Sequence, residues 1–228
     1  MFCKQWQWRV MGLTYALLCA SQAGAASLQV QFADQQGQPL ANAVVSLHGP
    51  QGGTANPEPA IMDQVHKQFL PAVLAIRSGT RVSFPNRDDI RHQVYSFSPA
   101  KRFELRLYKG TPSEPVLFDK PGLVVLGCNI HDWMLGYIYI TEDPWFAVSD
   151  ETGKLQIDNL PIGRYQVTLW HPQMVDLLPQ VGADIEVPAA GLQLNLPLPV
   201  GSAAVATPPV APVSLFDQAF KKALNEDR

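Results

Sequence analysis

Between residues 27 and 200 the apolar residues of this chain tend to recur at every second position, in short runs broken by turn-forming residues. Leu28, Val30 and Phe32 alternate with polar neighbours, "DQQGQP" turns the chain, and Ala43 to Leu47 resumes an extended pattern. "KRFELRLYK" alternates in the same way, with Phe103, Leu105 and Leu107 expected on one face and Glu104, Arg106 and Tyr108 on the other. Further runs are "QFLPAVLAIRSGTRVSF", split by "SGT", then "RHQVYSF", "EPVLF", "GLVVLGC" and "YIYIT". A period of two faces a sheet and cannot face a helix groove. Strands this short, at a spacing of roughly 8–12 residues, predict an all-β sandwich. The 20 prolines and 16 glycines supply the turns, and the low charged fraction of 16% is compatible with a buried core.

The first 26 residues are set apart from the fold. Lys4 and Arg9 precede an apolar stretch, Val10 to Ala20, too short to span a bilayer, and "SQAGAA" follows with small residues. This pattern predicts a signal peptide cut after Ala25 or Ala26, and hence a periplasmic protein with no membrane span after cleavage. The mature chain loses two of its 17 basic residues against 20 acidic ones, which leaves a formal charge of −5. That balance gives no basic face for nucleic acid.

Cleavage also removes Cys3 and Cys19, so Cys128 is the only cysteine left. One cysteine makes no internal disulfide, and a free thiol is a liability in an oxidising compartment. Cys128 is therefore expected to be buried and inert, or held by a metal.

"VVLGCNIHDWMLGYIYI", Val124 to Ile140, puts Cys128, His131 and Met134 three residues apart between two strand-like runs. His92, in "VSFPNRDDIRHQVYSF", also lies between two strands. Strand ends far apart in sequence meet at one pole of a sandwich, so the four residues can converge. Thiolate and thioether sulfur suit copper, and two imidazoles suit Cu(II) as well. Two histidines and one cysteine in a plane with a weak axial methionine form an electron-transfer site, held nearly still by a β-scaffold. Three other readings of the residues stay open. Cys128 and His131 would serve as nucleophile and base, but Met134 then has no role. Zinc accepts Cys and His, but a structural zinc site takes four strong ligands. Cys and Met are also common core fillers with no metal at all.

"HQV" after "VSFPN", followed by Cys128-x-x-His131-x-x-Met134 before a closing strand, resembles the cupredoxins, and the C-x-x-H-x-x-M loop looks most like amicyanin. The whole chain also resembles periplasmic plastocyanin-like proteins labelled methylamine utilisation proteins. The cupredoxin resemblance covers about residues 59–142. It implies a Greek-key sandwich and one type 1 copper, with His92, Cys128 and His131 as equatorial ligands and Met134 as the axial one. It implies that Asn86 ties the first ligand loop to the second near the sulfur. It implies a one-electron carrier rather than an enzyme. Trp133 and Leu135, beside His131 and Met134, would then form the patch through which a redox partner protein exchanges electrons, or else simply pack in the core. Where cupredoxins often carry C-T-P-H, this chain has Ile130, which frees a backbone N–H near the thiolate. The alternatives are copper carriage or sensing without redox turnover, and a metal-free structural binding module.

Lys101, Arg102, Arg106, Lys109 and Lys120 form a basic cluster, expected as a solvated face or a guide for an acidic partner. Met62, His66 and His171 lack companions at ligand spacing and are read as structural or surface residues.

The flanking segments point to a second sandwich. "LQVQFADQQGQPLANAVVSL" and "SDETGKLQIDNLPIGRYQVTLWHP" each resemble parts of the transthyretin-like, carboxypeptidase regulatory-like fold, the second through D-x-x-G-x-x-x-x-x-x-L-P-x-G-x-Y. The expected organisation is a signal peptide (1–26), N-terminal strands (27–58), a cupredoxin domain (59–142), a transthyretin-like module (143–200), an Ala/Pro linker (201–213) and a short amphipathic helix (214–228). The N-terminal strands either belong to the transthyretin-like module, making it discontinuous, or open the cupredoxin domain. In the first case Val44 and Val45 pair near residues 157–170. The terminal helix, with Leu215, Phe216, Phe220 and Leu224 on one face behind a Ser214–Asp217 capping box, packs back on the chain or docks a partner.

Overall fold

The computed structural model describes residues 25–50, 57–112 and 114–201. Most of the leader assignment and all of the predicted terminal helix lie outside the described residues. Every regular element among the described residues is a strand, as the alternation predicts, and no helix there is long and apolar enough to cross a membrane. The first two strands are β1 (Ala25–Ala33) and β2 (Val44–His48). The middle of the chain forms β3 (Ala60–Ile61), β4 (Asp63–Val65), β5 (Gln68–Leu70), β6 (Val73–Arg77), β7 (Thr80–Ser83), β8 (His92–Ser96), β9 (Phe103–Tyr108), β10 (Val116–Phe118), β11 (Gly122–Cys128) and β12 (His131–Thr141). The last third forms β13 (Trp145–Val148), β14 (Lys154–Pro161), β15 (Gly163–Trp170), β16 (Gln180–Val181), β17 (Ile185–Val187) and β18 (Leu192–Pro197).

The middle strands pair among themselves, in a five-stranded sheet of order β6-β12-β11-β8-β9, a three-stranded sheet β10-β7-β3 and the hairpin β4-β5. Val82, Phe84 and Phe118 from one side meet Val94, Leu126 and Ile138 from the other in one core. The first two strands pair with the last third of the chain. β1 lies between β14 and β18, and β2 lies between β13 and β15, with Val45 opposite Leu169 and Val44 opposite Trp170. β1 opens at Ala25, so the last two residues of the leader assignment lie in a strand, with Ala26 opposite Leu160.

The two sets of strands share a wall. Along β12 the alternation sends Ile138 and Ile140 into the middle core, and Tyr137 and Tyr139 into the other. β6 repeats this, with Leu74 and Ile76 facing one way and Val73 and Ala75 the other. Trp170 of β15, fully buried, packs its ring 5.6 Å from Tyr137 and 6.1 Å from Tyr139. β2 is buried from Val44 to Leu47 because it is covered on both faces. Its one polar member there, Ser46, donates to Asp143 Oδ2 at 2.7 Å and lies 3.3 Å from the Tyr139 hydroxyl. The sheet that carries the candidate ligands is thus covered on both sides.

One expected face is corrected by the structure. β9 keeps its predicted alternation through Leu105, which pairs with Val94, but Tyr108 pairs with His92. Two residues of β9 therefore oppose one of β8. This bulge reverses the phase of the strand. Leu107 turns outward and is 49% exposed, while the Tyr108 hydroxyl turns inward to donate to Phe84 O at 2.6 Å.

Candidate metal centre

Cys128 ends β11 and His131 begins β12, and the two are directly paired across the turn residues Asn129 and Ile130. The sequence reading placed Cys128, His131 and Met134 on one loop; the structure shortens that loop to a two-residue turn. In a regular strand, positions three apart face opposite sides of the sheet. The ladder skips here: Cys128 pairs with His131, whereas Gly127 pairs with Leu135, leaving residues 132–134 bulged out of register. The irregularity lets His131 and Met134 both be buried. Gly127 has no room for a side chain, since a Cβ there would meet the Tyr95 ring at 2.7 Å.

The third donor comes from β8. His92 is fully buried at the start of that strand and presents Nδ1 to Cys128 Sγ at 3.8 Å. His131 presents its own Nδ1 to the same sulfur at 3.7 Å. The donor atoms of His92, Cys128 and His131 all lie within 4.8 Å of one another, and the two imidazole rings are 4.9 Å apart. Met134 is 1% exposed and belongs to the same core cluster as Cys128.

Asn86 is buried at the start of the loop that leads to His92, and its contacts differ from those the resemblance implies. Its Nδ2 donates to Ile90 O and Tyr108 O, both at 2.9 Å, and its Oδ1 accepts from Asp88 N at 3.0 Å. Among the described residues its side-chain hydrogen bonds shape the 86–92 loop and anchor it to β9, and none reaches the Cys128 turn.

Several residues at the centre escaped the sequence reading. Asp88 Oδ2 lies 2.7 Å from His92 Nε2. "NRDDIRH" contains two adjacent acids, and nothing in the pattern says which one turns inward; Asp89 is exposed. Tyr108 was assigned to the outer face of β9, yet it stands opposite His92 and is hydrogen-bonded by Gln64 Nε2. Burial, with further contributions from Cys128 and Asp63 against the opposing Gln64 bond, pushes its phenol up to about 12. Burial raises the Asp88 carboxyl, but the hydrogen bonds from His92 and from the Lys67 and His66 backbone outweigh this and hold it below the ordinary value. Burial, then the charges of His92 and Lys67, lower His131, which favours the neutral imidazole with a free lone pair.

Trp133 packs against His131 with ring centroids 5.2 Å apart and the planes tilted by 58°, and Leu135 is 44% exposed. Beside them Ile130 is 48% exposed, so the His131 end of the centre opens onto an apolar rim. In the basic cluster, Lys101 approaches Asp119 at 3.9 Å and Lys109 approaches Asp89 at 3.4 Å, while Arg102, Arg106 and Lys120 are exposed. Met62 lies in the middle core, His66 is exposed in a turn, and His171 is buried in the other set of strands.

The donors fit a transition-metal ion. A metal about 2.05 Å from an imidazole nitrogen and about 2.3 Å from a thiolate would hold the two donors about 3.8 Å apart at a 120° angle. Both N–S separations agree with that figure. Two imidazoles and one thiolate are a copper-compatible set.

No family profile matches the chain, and no curated protein matches it. Solved structures that it is similar to include cupredoxins and a copper-containing nitrite reductase. A Cu-containing nitrite reductase from Thermus scotoductus SA-01 is 29% identical over 41% of this chain and 25% of its own, with a TM-score of 0.35. A purple cupredoxin from Nitrosopumilus maritimus is 20% identical over 37% of this chain and 100% of its own, with a TM-score of 0.32. An oxidised amicyanin variant is 14% identical over 42% of this chain and 98% of its own, with a TM-score of 0.33. The chain thus spans a quarter of the nitrite reductase, and each likeness leaves more than half of this chain unmatched.

Proposed function

We propose that His92, Cys128 and His131 bind one copper ion, with Met134 as a weak axial ligand, and that the protein carries single electrons to a partner protein in the periplasm. The observation that carries this reading is the convergence of two Nδ1 atoms, from two different strands, on one buried thiol. Bound copper supplies a one-electron couple. The chain's own residues supply the rest. Cys128 and His131 are fixed by direct strand pairing, and His92 by its place at the head of β8, so the donors move little as the charge changes. The apolar shell of Met62, Phe84, Leu126 and Met134 keeps water from the sulfur. His131 is the ligand nearest the surface, and Ile130, Trp133 and Leu135 around it offer an apolar contact for the redox partner. In this reading the protein is a carrier and catalyses no reaction of its own.

The test is the visible and EPR spectrum of the Cu(II)-loaded protein beside Cys128→Ser. An intense thiolate-to-copper band in the native protein, absent from the variant, is the expected result. A colourless protein, or a variant that binds copper equally well, would sink the assignment.

A further inference from the structure

Asp88 does more than touch a ligand. Its Oδ2 accepts from Lys67 N at 2.8 Å and meets His92 Nε2 at 2.7 Å, and its Oδ1 accepts from His66 N at 2.7 Å. His66 and Lys67 are the two central residues of the β4–β5 hairpin, and both have positive φ, 53° and 59°. Such turns are ordinarily built with Asn-Gly or Gly-rich pairs. Here two residues with side chains take that conformation while one carboxylate receives both of their backbone N–H groups. The hairpin leads into β5, where Phe69 packs against Gly136 of the strand that begins with His131. A single partly exposed carboxylate therefore joins the first histidine to the hairpin that covers the second ligand strand.

The joint also decides how His92 carries its hydrogen. With two backbone N–H groups already on it, the carboxylate meets Nε2 as an acceptor, so in the neutral imidazole Nε2 carries the hydrogen. Nδ1 is then bare, and it is the nitrogen that faces Cys128 Sγ. We propose that Asp88 is a positioning residue that selects the Nε2–H tautomer of His92 and locks the β4–β5 turn, so that the centre is arranged before any metal arrives. The proposal deepens the copper reading and rests on it for its functional meaning. Its structural part stands without metal.

Nitrogen-15 NMR of the metal-free full chain reads the His92 tautomer directly, and amide exchange reads the His66 and Lys67 N–H groups. The expected result is Nε2–H for His92 and slow exchange at both amides. Asp88→Ala should mix the tautomers, speed both exchanges and weaken Cu(I), measured by competition with a chelator, by about 10–100-fold, the range for a lost outer partner of a metal ligand. Asp88→Asn keeps one acceptor oxygen and should fall between the two; it decides the matter if Asp88→Ala does not fold. His92 protonated on Nδ1 in the native chain would overturn the proposal, as would an Asp88→Ala protein with unchanged tautomer and copper affinity. A native chain that takes up no copper yet shows the Nε2–H tautomer would instead overturn the copper reading and leave the Asp88 joint standing.

Discussion

Two buried histidines, one in each half of the molecule, show what separates a site from a scaffold. His171 is 3% exposed and both of its ring nitrogens are satisfied by the main chain: Nε2 donates to Ala41 O at 3.0 Å, and Nδ1 accepts from Gln173 N at 3.1 Å. His92 is fully buried, with one nitrogen on a carboxylate and the other facing only a thiol. A thiol is a weak hydrogen-bond partner, so the main chain does not satisfy Nδ1 of His92 as it satisfies both nitrogens of His171. The first imidazole is closed and ties two loops together. The second is open, and it opens toward two other donors. Burial alone does not mark a functional histidine; what its nitrogens face does.

The largest expected effect breaks the scaffold side of this comparison. Trp170→Ala removes a fully buried ring that packs on Tyr137 and Tyr139, and should cost about 3–5 kcal/mol in urea unfolding. The folded fraction should keep the copper spectrum, because the ligands attach to the opposite face of the shared sheet; a changed spectrum would mean that the wall positions the ligands.

His171→Leu removes both bonds that the imidazole makes, to the Ala41 carbonyl and from the Gln173 N–H, and should cost about 1–3 kcal/mol. It should also flatten the pH dependence of stability. Burial holds His171 below its ordinary value in the fold, against the opposing bond to Ala41. The unfolded chain therefore takes up this proton first, and the stability tied to neutral His171 is present above about pH 6.5 and is lost as the pH falls below it. Chemical unfolding of the metal-free protein between pH 7 and pH 5 would show whether the variant lacks part of that slope.

Gly127→Ala sharpens the site side. Its Cβ would press on the Tyr95 ring one residue before Cys128. It should cost about 1 kcal/mol and shift the thiolate-to-copper band, read in the same absorption spectrum. The smallest effect is expected at the rim. Leu135→Ser, at a half-exposed position, should change stability by less than about 0.5 kcal/mol. Under the function proposed above it should slow electron exchange with a redox protein, and an unchanged rate would move the contact elsewhere.

Much of this was legible from alternation and spacing. The strands, the turns between them and the close spacing of Cys128 and His131 follow from local pattern, because a period of two and a turn residue act within a few positions of themselves. Leu107 and Tyr108 show where this fails. Their faces depend on a bulge, and a bulge is fixed by the partner strand. Asp88 escaped for a similar reason: its role needs the His66–Lys67 turn, some twenty residues away, to be folded against it.

The sequence by itself determined that the chain is built of strands and which side chains could hold a soft metal, since both depend on residue type and near spacing. Only the tertiary structure decided that β2 pairs with β13 and β15 across about a hundred intervening residues. It also decided that "YIYI" feeds two cores at once, and that the imidazoles of His92 and His131 both turn Nδ1 to the sulfur. Strand partners, register and ring orientation are set by contacts between distant segments, which no local pattern encodes.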